Sequence, residues 1–301
     1  NAQTPAILFD SWTGEADHDY MTELLNQGFI VDAIKHDELT WARLQQYNVL
    51  VMVDFPQENQ VVYQPGYGPA TGPNYQDTLD MIELFLQQGG GVMINLFQHS
   101  NRPTFHNTVQ KLMANWGAAR PMESVSLPEG RMIQHPRLLQ KFMFYYTDNV
   151  QTSPVSTGVN GVWYPQNSQW CTGGPISVDQ NWTVVLRAPA DSQTQPIVPE
   201  FTGYTDMLVP PAAVSQPALF AIRDLNPGRL AFFHAHPRHH WSSGTTWIHD
   251  GVMLDKGLNN VPSDFGKLLT NTWQWLADPS LQSQTLGGAT TPADRWLPRY
   301  V

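Results

Sequence analysis

Four short apolar runs separated by helical periodicity restrict the first hundred residues to very few folds. Ala6-Ile7-Leu8-Phe9, Phe29-Ile30-Val31, Val49 to Val53 and Val92 to Phe97 read as buried strands. Between them Asp17 caps a helix running to Asn26 and closed by Gly28. Leu39 to Gln46 reads as a short helix, and Thr78 to Gln88 as a longer one broken by Gly89-Gly90-Gly91. Strands that are apolar throughout need cover on both faces. Alternation with amphipathic helices therefore predicts a parallel sheet between helices.

The pattern changes twice. Residues 1–116 form the first part of this α/β region. From 117 to 216 Pro, Gly, Ser and Thr become frequent and apolar runs such as Thr183 to Leu186 are short, which predicts a β-rich insertion or cap. Its aromatic residues, Trp163, Tyr164 and Trp182 among them, fit a loop-rich core or a sugar-stacking surface. The α/β pattern returns over 217–278, with a helix Ser263 to Leu276 carrying Phe265, Leu268, Leu269, Trp273 and Leu276 at helical spacing. After Asp278-Pro279 the segment 279–301 reads as an extended tail.

The densest chemistry follows the hairpin of the returning region. Leu219 to Ile222 and Leu230 to Phe233 flank Asn226-Pro227-Gly228, and the second strand runs into His234, His236, His239 and His240. Imidazole is both the commonest metal ligand and the commonest acid/base group at neutral pH. His234 and His236, two apart on a strand, share a face. Three readings stay open. The four histidines hold a divalent metal, zinc by ligand type, for hydrolysis. Alternatively they form a metal-free polar pocket with an Asp-partnered base and Arg238 on an anion. In the third they hydrogen-bond the backbone of a tight turn.

Ligands of parallel sheets collect at the carboxyl ends of the strands. The groups expected there are Asp10 with His18 and Asp19, Asp54, Gln98 with His99, and His234 with His236. The candidate catalytic set is His236, His99, Asp10 and His18. Gln98, Arg238, Trp241 and Asp54 are the candidate substrate contacts.

Composition narrows the partners. The net charge is −10 with 16 basic against 26 acidic residues and no basic run, which argues against nucleic acid. No apolar stretch approaches the ~18 residues of a membrane span. A single cysteine, Cys171, excludes an internal disulfide framework and reads as a bystander thiol. Few charges, 11 tryptophans and abundant Asn and Gln suggest a secreted or periplasmic, carbohydrate-related protein. The expected partners are a small-molecule or carbohydrate ligand, with a homo-oligomer left open.

Several of these segments, in order, resemble the ThuA-like (trehalose-utilisation) branch of the class I glutamine-amidotransferase-like superfamily. The first strand Ile7-Leu8-Phe9-Asp10 is followed by His18-Asp19-Tyr20. Gly89-Gly90-Gly91 leads into Val92-Met93-Ile94-Asn95-Leu96-Phe97. The hairpin Phe220-Ala221-Ile222 and Gly228-Arg229-Leu230-Ala231-Phe232-Phe233 ends in histidine, and a closing helix carries Trp273 and Trp275. The resemblance implies a flavodoxin-like three-layer α/β fold with a mostly parallel central sheet, here with a β-rich insertion. It also makes His236 the counterpart of the family's strand-end histidine, with His234 close enough to be the true one.

The chain departs from the superfamily where the nucleophile should be. After the fourth strand it reads Leu96-Phe97-Gln98-His99-Ser100, with neither the cysteine nor the glycines that a strained elbow needs. It is therefore not expected to be a glutaminase. Two functions follow. One is an enzyme that hydrolyses a glycoside or abstracts a proton from it. The other is a non-catalytic binding or assembly module of a sugar-processing protein.

Overall fold

The computed structural model describes residues 4–11, 24–35, 38–53, 75–95, 112–121, 123–134, 143–166, 173–196, 213–235, 241–243, 246–248 and 251–289. Two compact units are present. The first comprises Asn1–Ile94, Arg223–Ala231 and Trp273–Val301, and the second Asn95–Ile222 and Phe232–Thr272.

The predicted strands form: β1 (Ala6–Ser11), β2 (Ile30–Lys35), β3 (Val49–Val53) and β4 (Gly91–Asn95). They belong to a seven-stranded sheet of order Thr183–Arg187, Ala218–Asp224, Arg229–Phe233, β4, β3, β1, β2. β1 pairs in parallel with both β2 and β3. Gly91 N–H donates to Asn48 O (3.0 Å), and Arg229 N–H to Gly90 O (3.3 Å). Strands that begin side by side and stay paired must run parallel, so β3, β4 and Arg229–Phe233 share one direction. The chain is thus a mixed α/β protein with a large, mostly parallel central sheet. All five residues of β4 are buried, as expected for a strand inside such a sheet.

Thr183–Arg187, which the sequence places in a β-rich insertion or cap, pairs antiparallel with Ala218–Asp224 as an outer strand of the central sheet. The final helix, expected to stop near Leu276, spans Phe265–Ser283 with Pro279 inside it. Proline cannot donate to the carbonyl four residues back, here Trp275 O. That carbonyl instead accepts Arg229 Nη1 at 2.6 Å. The same guanidinium lies 4.7 Å from the Trp275 ring centroid and pairs with Asp278 (3.4 Å) and Asp224 (3.5 Å).

In the first unit the buried Asn48 joins three segments. Its Oδ1 accepts Ala6 N–H (3.0 Å), while Nδ2 donates to Ser280 Oγ (3.0 Å) and Leu286 O (3.3 Å). Gly91 explains part of the glycine run: a Cβ there would lie 2.5 Å from both Leu276 Cβ and its carbonyl oxygen. Beyond the helix, Gly287 and Ala289 donate to Gln45 O and Gln46 O (both 3.1 Å). These bonds tie the start of the segment read as an extended tail to Gln45 and Gln46 within the first unit.

Among the described residues the second unit carries four small sheets besides its share of the central one. Ala118–Ala119 pairs with Ser177–Val178, and Glu123–Ser126 with Gln193–Pro196. Ile133–Gln134, Met143–Thr147 and Val162–Pro165 form a three-stranded sheet, and Trp241–Ser243 pairs with Thr246–Ile248. Phe265 anchors its core, with ring centroids 5.3 Å from Phe233, 6.1 Å from Phe220 and 6.3 Å from Tyr164.

Candidate functional site

The carboxyl ends of the parallel strands carry buried polar side chains. In the first unit Asp10, next to last in β1 and paired with Ile34 and Met52, is only 1% exposed. A second buried carboxylate, Asp32 in β2, accepts Tyr47 Oη and Arg43 Nη2, both at 2.8 Å, and Ala33 N–H at the same distance. Burial, reinforced by the bond to Asp32, pushes the Tyr47 phenol above its ordinary range. Both oxygens of Asp32 thus accept donors from its own scaffold, which gives Asp32 a structural task.

In the second unit two side chains stand at adjacent strand ends. Asn95 closes β4 at 6% exposure, and its Oδ1 accepts no hydrogen bond among the described residues. His234 follows Phe233 directly and is 0% exposed. Its carbonyl accepts both Tyr164 Oη and Gly174 N–H at 2.8 Å. Its ring lies against Gly174, where a Cβ would approach Nδ1 to 2.7 Å, so only glycine leaves room for the imidazole.

Around this core the second unit buries further polar groups. Thr194 Oγ1 donates to Glu123 Oε1 (3.2 Å), and both residues are buried. Arg120 is buried as well, and desolvation pulls its guanidinium down to about 10, leaving it protonated at neutral pH. Tyr145, its ring centroid 6.0 Å from that of Tyr164, has a buried hydroxyl without a hydrogen bond among the described residues. Burial holds both phenols well above their ordinary range; the neighbouring Tyr164 adds to the effect on Tyr145, and the bond to the His234 backbone partly opposes it on Tyr164. Concentrated ionisable groups in a low-dielectric interior mark candidate sites.

This predicts an alkaline weakness. A phenol whose pKa is raised by folding stabilises the native state fully below its unfolded value of about 10 and progressively less above it. The melting temperature should therefore fall more steeply above about pH 10 than below it. Tyr164→Phe should lower the melting temperature at neutral pH, because the His234 carbonyl loses a donor, yet flatten the alkaline decline. An identical alkaline slope in Tyr164→Phe would show that this phenol does not titrate with unfolding.

Among the sequence candidates, Asp10 is next to last in β1 and His234 directly follows the strand Arg229–Phe233. Trp241 begins the strand Trp241–Ser243, its backbone opposite Ile248. His18, Asp54, Gln98, His99, His236, Arg238, His239 and His240 lie outside the described residues, as do Asp19 and Cys171. Among the described residues no three His, Cys, Asp or Glu side chains are grouped for a metal ion. Asn95, Gly174, Glu123 and Arg120 escaped sequence reading as site residues, while Tyr164 was read only among the aromatics of a loop-rich core or sugar-stacking surface. The Gly173-Gly174 pair was the one local signal of a close approach.

No protein-family model matches the sequence, and no curated protein matches it. Among solved structures, the N-terminal domain of mmIFT52 superposes with a TM-score of 0.53 at 14% identity, covering 90% of this chain and 97% of that one. This shows a shared fold. A Thermoplasma acidophilum protein provisionally assigned as one component of GMP synthase covers 94% of this chain and 99% of its own, at 10% identity and a TM-score of 0.45. No helix among the described residues is long and apolar enough to cross a membrane.

Proposed function

We propose that this chain is a carbohydrate-directed enzyme of the ThuA-like, flavodoxin-like three-layer type, acting outside the cytoplasm. Its ligand site lies in the second unit, at the carboxyl ends of β4 and Arg229–Phe233. The observation that carries this reading is Asn95. A buried acceptor without a donor costs about 1–3 kcal/mol, and it is kept where a ligand supplies the donor. A sugar hydroxyl is such a donor. His236 then serves as general base toward a glycoside, or as a zinc ligand with His234, His239 and His240. Arg238 binds an anionic substituent, Trp241 stacks on the sugar ring, and Gln98 and His99 complete the polar lining.

The alternative, a non-catalytic binding module, is favoured by the missing elbow at Leu96-Phe97-Gln98-His99-Ser100. One set of measurements separates the two. The protein, with and without added zinc, is titrated calorimetrically with oligosaccharides and assayed for cleavage of the same sugars. Cleavage lost in His236→Ala supports the enzyme, and binding without turnover supports the module. A folded protein that binds no carbohydrate under either condition overturns both.

Asn95→Leu should weaken ligand affinity by about tenfold or more, corresponding to roughly 1.4 kcal/mol. Its melting temperature should be unchanged or higher, because an unpaired buried acceptor has been removed. Loss of stability without loss of affinity would assign Asn95 to the scaffold.

A further inference from the structure

The sequence contains one Asn-Gly pair, Asn160-Gly161, in the second unit. Asn160 is exposed, and its Nδ2 donates to Asp264 Oδ2 at 3.2 Å. Its backbone N–H donates to the same oxygen at 2.8 Å, while Asp264 N–H donates to Gly161 O at 2.9 Å. Gly161 N–H donates no hydrogen bond among the described residues. A Cβ at position 161 would collide with the Tyr146 hydroxyl, so packing demands the glycine. Glycine also leaves the backbone nitrogen unshielded beside the Asn160 carboxamide.

We propose that Asn160 is a site of spontaneous deamidation, its rate set by the grip of Asp264. Gly161 N, having given its proton to solvent, attacks Asn160 Cγ; the N–Cγ bond forms, Nδ2 takes a proton from water, the Cγ–Nδ2 bond breaks and ammonia leaves. Water then opens the cyclic imide at either carbonyl, giving aspartate or isoaspartate. No electrons are exchanged, and water is the only co-reactant.

The product bears on the helix that follows. Asp264 O accepts Leu268 N–H at 3.0 Å, making Asp264 the N-cap of the helix Phe265–Ser283. The same helix face holds the preceding loop through Lys267 Nζ on Gly158 O (3.0 Å) and Asn271 Nδ2 on Val155 O (2.9 Å) and Thr157 O (3.0 Å). Deamidation replaces the donor at 160 with a second carboxylate against Asp264. The isoaspartate route also inserts a methylene into the backbone between the two hydrogen bonds. Both products loosen the loop from the helix.

The test incubates the full chain at mildly alkaline pH and maps its peptides by mass. The peptide containing Asn160 should gain about 1 Da, while those containing Asn48 and Asn271, whose amides are bonded in the interior or to backbone, should not. Asp264→Ala should speed the change. A folded chain that keeps the Asn160 amide while the denatured chain loses it overturns the proposal. That comparison decides the matter alone if Asp264→Ala does not fold. Asn160→Asp, the fixed product, should melt below Asn160→Ser; equal melting temperatures would refute the predicted loosening.

Discussion

Phe265→Ala is expected to destabilise the protein by about 3–5 kcal/mol, the range for deleting a buried phenyl ring. Phe265 is fully buried at the first position of the helix Phe265–Ser283, edge-on to Phe233, Phe220 and Tyr164. Phe220 and Phe233 are themselves stacked with centroids 5.3 Å apart, so removing the third ring opens a void that two mutually packed rings cannot close. Edge-to-face pairs add about 0.5–1.5 kcal/mol each beyond area burial. Urea unfolding of wild type and variant measures the loss. Phe265→Leu should recover a good part of it by refilling volume. A cost below about 1 kcal/mol for the alanine variant would contradict the packing described here.

The second large effect concerns Arg229. Replacing it with leucine should cost about 1.5–3 kcal/mol, the usual range for a hydrogen bond from a charged donor. The reason is local to Pro279. The helix loses one N–H there, and Arg229 supplies the substitute donor to Trp275 O while stacking on the Trp275 ring. Pro279→Ala restores the missing N–H, so it should rescue Arg229→Leu by more than it stabilises wild type. A double-mutant cycle reads this coupling directly, and neighbours sharing a partner commonly couple by about 0.5–3 kcal/mol. Simple additivity would show that Arg229 does not replace the proline's donor.

Part of this protein is written locally. β3 spans Val49–Val53 as its apolar run predicts, and the hairpin forms around Asn226-Pro227-Gly228 with Leu225 N–H on Gly228 O at 2.8 Å. Gly28 closes the first helical segment with a φ of 87°, a backbone state that favours glycine. Such features depend on spacing, turn chemistry and backbone freedom within a few residues, all visible in one pass along the chain.

Tertiary structure decided the rest. The pairing of Thr183–Arg187 with Ala218–Asp224 joins segments more than thirty residues apart, and no local pattern selects that partner over another. Pro279 signals a helix end until a guanidinium 46 residues from Trp275 in sequence takes the freed carbonyl. Asp10 and Asp32 are both aspartates in parallel strands, and nothing along the chain announces that Arg43 and Tyr47 will commit Asp32 to a structural network. At the candidate site the sequence marked the histidines, because imidazole is chemically conspicuous. It passed over Asn95, since an asparagine ending an apolar run also suits an ordinary turn. Local propensity draws on neighbours along the chain. Burial and hydrogen-bond satisfaction depend on neighbours in space, and these single out Asn95 and explain why residue 174 must be glycine.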